Sequence, residues 1–168
     1  MNQTRISKKV IRTVTMGFLT AILFLGQLGM ASLPNIEPVT TLLIIYTLVY
    51  EKKVFPIIYA FVVLEGLVFG FGIWWISYLY IWSILALIVL LFKKNNSVIL
   101  WAVISGSFGL LFGALCAIPY LISGGPGAAL AYWIAGIPYD ILHCGGNFVL
   151  TLVLFRPVYR AISRFGTG

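Results

Sequence analysis

Charge is what this chain lacks most. Of 168 residues only 9% are charged, and just four are acidic against eleven Lys and Arg. A water-soluble domain carries roughly 25% charged residues. So little polar surface cannot cover a globule in water. Cysteine is scarce too. Cys116 and Cys144 each sit in an apolar stretch, with no spacing for a zinc site or a disulfide framework, so both read as free buried thiols. No Gly-x4-Gly-Lys-Ser/Thr run is present, so any ATP hydrolysis falls to another subunit. Asp140 and His143 are not accompanied by further ligands spaced for a metal. No nucleophile, base and orienting group stand together, so the chain is not expected to be an enzyme by itself.

What is present is apolar. The sequence is 61% hydrophobic and its mean hydropathy is +1.06, so lipid is the expected solvent. The net charge of +7 lies in short clusters between apolar runs rather than in a stripe. This favours membrane topology over nucleic-acid binding.

The pattern predicts an all-α membrane protein, a bundle of six transmembrane helices in one domain. The spans fall at 10–31, 36–51, 54–72, 76–92, 98–121 and 138–155. Ser32-Leu33-Pro34-Asn35, Lys52-Lys53, Gly70-Phe71-Gly72, Lys93-Lys94-Asn95-Asn96 and Ser123-Gly124-Gly125-Pro126-Gly127 separate them. Asn35 is placed to cap span two, Pro38 to occupy its first turn, and Glu37 to meet the helix dipole. Span two is short and is expected to begin below the outer surface. Residues 128–137 are too few to cross and read as a short interfacial or re-entrant helix, with Pro138 opening span six. Both termini inside puts all eleven basic residues on the cytoplasmic face of the cell membrane. The first apolar run follows Arg5, Lys8, Lys9 and Arg12 but lacks a clear cleavage site, and is read as an uncleaved first helix.

Ionisable groups within a bilayer are costly and often functional. Helical rise puts Glu65 about 10 Å below the outer end and Gln27 about 6 Å below it. Asp140, His143 and Asn147 lie roughly 3, 8 and 13 Å below the same side. All five fall in the outer half, which describes a cup open outward above an apolar floor. Asp140, His143 and Asn147 share one helix face, and Gly145 and Gly146 permit close approach there. Glu65 precedes the small-residue pair Gly66 and Gly70. Helix–helix bonding is the plain alternative for each polar residue. Trp75, Tyr78, Tyr120, Trp133 and Tyr139, with Asn35, are candidates for the wall of the cup. Trp74, Trp75, Tyr78, Tyr132, Trp133 and Tyr139 read equally as an interfacial belt.

This pattern resembles the substrate-binding S components of energy-coupling factor (ECF) vitamin transporters, over nearly the whole chain. The stretches that carry the resemblance are Leu33-Pro34-Asn35-Ile36-Glu37-Pro38-Val39-Thr40, and Gly136-Ile137-Pro138-Tyr139-Asp140-Ile141-Leu142-His143 leading to Asn147. They are most similar to the cobalamin-specific S components. The resemblance implies capture of a vitamin from outside, with cobalamin the first candidate and riboflavin and folate open. It also implies docking to a membrane coupling subunit with two cytoplasmic ATPases, followed by toppling and inward delivery. The family docks through an Ala-xxx-Ala motif in span one. The nearest match is Gly17-Phe18-Leu19-Thr20-Ala21, extended by Thr13, with glycine in place of the first alanine. Two other classes stand beside this one: an intramembrane enzyme using Asp140 and His143, and a ligand-free membrane assembly protein.

Overall fold

A computed structural model describes residues 3–33 and 35–166, and these are helical with no strand among them. The elements are α1 (Gln3–Gly29), α2 (Val39–Tyr50), α3 (Phe55–Phe69), α4 (Ile73–Phe92), α5 (Val98–Cys116) and α6 (Ile118–Gly166). A 3-10 turn, Glu51–Val54, joins α2 to α3. Four helices are long and apolar enough to cross a membrane: the Lys9–Gly29 part of α1, α4, α5 and the Ile118–Arg164 part of α6. The shorter α2 and α3 have 12 and 15 residues. At about 1.5 Å per residue neither reaches the ~30 Å of a hydrocarbon core.

The shortness of α2 shapes the molecule. It is the central helix, packed against α1, α4, α5 and α6, and nine of its twelve residues are buried. Such a helix is apolar all round because every face meets protein. It starts three residues later than the sequence pattern suggests, with Pro38 at the cap position. Asn35 is not the cap, having a left-handed backbone with φ 55°. Glu37 supplies the cap instead: its carboxylate accepts the backbone N–H groups of Val39 and Thr40. Pro34, expected in the break before this helix, lies outside the described residues.

Beneath α2's first turn the interior is closed. Leu43, Ile44, Ile45, Ile58, Phe61 and Leu85 are all fully buried there. Threonine hydroxyls at this depth find partners: Thr41 and Thr151 share a hydrogen bond at 2.8 Å, and Thr47 donates to the Leu43 carbonyl. Lys93 and Glu51 form an exposed ion pair at 2.9 Å that ties the end of α4 to the α2–α3 turn. The Lys93 ammonium holds the Glu51 carboxyl below the usual range.

The separate short helix expected at 128–137 does not form. Instead α5 runs on through the first turns of α6 to a sharp reversal at Gly125 (φ 78°, ψ −177°), and the chain then returns as one helix through Pro138 and Pro157. The positive φ suits glycine, and Pro126 is placed to open the returning arm. The two arms make an antiparallel hairpin. Tyr120 and Tyr132 stack across it with ring centroids 4.2 Å apart. Gly106, Gly109 and Gly113 on α5 face Cys144, His143 and Asp140 on α6 so closely that a Cβ at Gly109 would stand 2.8 Å from the His143 carbonyl. The close approach expected at Gly145 and Gly146 is found at Gly146 alone, where a Cβ would stand 3.3 Å from Ile36, and the seam between α5 and α6 is made by the glycines of α5. Gly145 has open space around it.

Candidate functional site: a polar recess above the short helix

Because α2 starts low, the helices around it enclose a space above its N-terminus. This cavity measures about 360 Å³. Every long element contributes to it: Gln27 from α1, Asn35 and Glu37 from the connection, Glu65 from α3, Trp74 from α4, Phe112 from α5 and His143 from α6. No Lys or Arg lines it among the described residues.

Glu37 is the centre of this site, and sequence reasoning assigned it only the capping role. Its Oε1 accepts from the Thr40 hydroxyl at 2.7 Å and lies 3.2 Å from His143 Nε2. The carboxylate therefore ties α2 to α6 across the cavity floor. An anion at a helix N-terminus is favoured by the unsatisfied N–H groups and the dipole. The available signal was the spacing Glu37 to Thr40 at the head of an apolar run, joined to the presence of a single histidine. What hid the role was that the His143 contact spans more than a hundred residues.

Four residues that line this cavity each carry a buried polar atom without a hydrogen-bond partner among the described residues: Gln27 Oε1, Glu65 Oε1, Trp82 Nε1 and His143 Nδ1. An orphaned buried polar group costs about 1–3 kcal/mol. Four such residues around one cavity suit a guest that carries hydrogen-bond donors and acceptors.

The face shared by Asp140, His143 and Asn147 is real, since all three are at most 3% exposed. Its members nevertheless part company. His143 enters the first cavity. Asp140 accepts the Gly113 N–H at 2.9 Å and lines a second cavity of about 360 Å³, together with Cys116, Tyr132 and Tyr139. Phe112 and Asn35 line both cavities and so form the partition between them. The Phe112 ring stands edge to face with His143 at 4.9 Å. Asn147 lines neither. Its Nδ2 donates to the Ser105 carbonyl, and the Ser105 hydroxyl donates back to the Asn147 carbonyl. Asn147→Ala is therefore expected to lower stability by about 1 kcal/mol and to leave ligand affinity unchanged, which paired unfolding and binding titrations would read. A large loss of affinity would return Asn147 to the site.

The aromatic candidates also divide. Trp74, Tyr78 and Trp82 stack edge to face along α4 at 5.2 and 5.3 Å, so this part of the expected belt turns inward as a ladder. Spacing of four residues puts them on one stripe. Trp74 and Trp82 reach the first cavity, with Tyr78 between them. Trp75 donates its indole N–H to the Val62 carbonyl at 2.8 Å, so it braces α3 against α4. Tyr120 serves the hairpin stack. Trp133 is 40% exposed and lines neither cavity.

On α1, Thr13, Gly17 and Ala21 are all exposed on one stripe, while Leu19 and Leu23 point into the core. A Cβ at Gly17 would meet no other part of the described residues within 4 Å.

No family model, no curated protein and no solved structure matches the chain. No group of three or more His, Cys, Asp or Glu could hold a metal among the described residues.

Proposed function

We propose that the chain is the substrate-capturing S component of an ECF-type vitamin transporter. It crosses the cell membrane six times with both termini in the cytoplasm, α2 and α3 completing the count. The observation that carries this reading is the one-ended recess. Gln27, Glu65, Trp82 and His143 line a cavity at one end of the bundle, each with a buried polar atom that lacks a partner among the described residues, over a floor of fully buried apolar side chains. A conduction path needs polar stations through the whole thickness; a capture site needs them only at its mouth.

Cobalamin remains the first candidate. Its peripheral primary amides offer donors for Glu65 and Gln27. It is larger than either cavity, so it would draw on both, with Phe112 and Asn35 moving aside. Riboflavin and folate would fit with less rearrangement. The intramembrane-enzyme reading is less well supported, because Asp140 and His143 line different cavities. A membrane coupling subunit and two ATPases would supply transport energy.

The stripe of Thr13, Gly17 and Ala21 suits docking of that coupling subunit, since small residues let helices approach closely. Ala21→Trp is expected to abolish uptake in cells while the purified protein still binds its vitamin. Normal uptake would reject this face. The test of the proposal itself is mass spectrometry of the small molecule retained through purification from native membranes, followed by titration of the stripped protein. Failure to retain or rebind any vitamin would overturn it.

A further inference from the structure

The opposite end of the bundle carries a second kind of site, which does not depend on the transport reading. A cavity of about 270 Å³ opens there between the end of α4, the start of α5 and the last turns of α6. Its polar wall is Lys93, Asn95, Asn96, Arg156 and Arg160. Arg156 and Arg160 are one helical turn apart, so both guanidinium groups lie over the same patch. Neither has an acidic partner among the described residues; Lys93 is shared with Glu51. Asn95 Oδ1 is occupied by the Ser97 N–H at 2.8 Å.

The inner wall holds Trp101, which is fully buried, and its indole nitrogen has no acceptor among the described residues. The ring is fixed by stacking. Trp101 lies nearly parallel to Phe155 at 6.3 Å, and Phe155 nearly parallel to Tyr159 at 5.6 Å. The site therefore combines two free arginines and an exposed amide above an aromatic stack. The arginines and the amide are hydrogen-bond donors, and the charge is positive. Arginine's planar fork matches phosphate oxygens two at a time.

We propose that this cavity binds a phosphate group, either on the headgroup of an anionic lipid or as free phosphate. Basic pockets between helices at a membrane surface recognise such headgroups.

Thermal unfolding of the full chain in nanodiscs tests the proposal. The probes are phosphatidylglycerol titrated into phosphatidylcholine, and inorganic phosphate titrated into phosphatidylcholine alone. A saturable upward shift with phosphatidylglycerol identifies a lipid site; a saturable shift with inorganic phosphate identifies a free-anion site. Arg156→Gln with Arg160→Gln is expected to weaken the response about tenfold or more. Arg12→Gln with Lys52→Gln removes the same charge elsewhere and is expected to keep it. Should the arginine pair fail to fold, Arg160→Gln alone removes one of the two exposed guanidinium groups, and is expected to weaken the response severalfold. No saturable shift with either probe overturns the site. So does equal weakening by the Arg12/Lys52 pair, which reduces the effect to surface charge. An unchanged response in the arginine pair, or in Arg160→Gln where that variant stands in, overturns it as well.

Discussion

Replacing Glu37 with alanine is expected to remove ligand binding and to destabilise the protein by about 2–4 kcal/mol. Two costs combine. The first turn of α2 loses its cap, worth about 0.5–2 kcal/mol. His143 Nε2 also loses its buried partner, at about 1–3 kcal/mol. Both follow from one carboxylate that accepts from Val39, Thr40 and the Thr40 hydroxyl while touching His143. His143→Ala separates the two effects. It leaves the cap intact, so stability should fall by only about 1 kcal/mol, while affinity falls about tenfold. Unfolding in detergent and vitamin titration on the same preparations provide the comparison. If Glu37→Ala melted like wild type, or His143→Ala bound its ligand normally, the recess would not be organised around this pair.

The second large effect is expected at Gly109. A methyl group there would stand 2.8 Å from both the carbonyl carbon and oxygen of His143. These are backbone atoms and cannot rotate away, so α5 and α6 must separate. Overpacking of this kind costs about 1–3 kcal/mol. Because His143 is the residue displaced, binding should fall with stability. Gly145→Ala is the matching control, with open space around it and an exposed helical position. There alanine is expected to raise stability by a few tenths to about 1 kcal/mol, by restricting the unfolded chain. Equal behaviour of the two variants would show that the hairpin is not held at the glycine seam.

Much of the architecture was legible because it depends on local composition. The breaks at 32–35, 70–72, 93–96 and 123–127 all separate helical runs or reverse the chain. The run at 128–137 was misjudged for an identifiable reason. Pro138 was read as a helix start, yet here it lies within a helix whose outer turns project along the hairpin, where Ile134 and Ile137 are exposed. Nothing in the sequence distinguishes a proline that opens a helix from one that a continuous helix tolerates.

The candidate site was legible as a depth but not as a constellation. Gln27, Asn35, Glu65 and His143 do line one cavity. Periodicity placed Asp140, His143 and Asn147 on a common face, and that is true of α6 taken alone. It could not show that Phe112, from α5, stands between the first two, or that Ser105 engages the third.

The sequence by itself determined the helical class, the apolar helices long enough to cross a membrane and several of the residues that line the recess. These depend on counts of apolar residues and on rise per residue, which each segment carries alone. Only the tertiary structure decided that Glu37 is the hub, that two cavities share one phenylalanine wall, and that the seam glycines lie on α5. Those follow from the register and start height of neighbouring helices. Side-chain packing sets both across contacts far apart in the chain, where helical period carries no information.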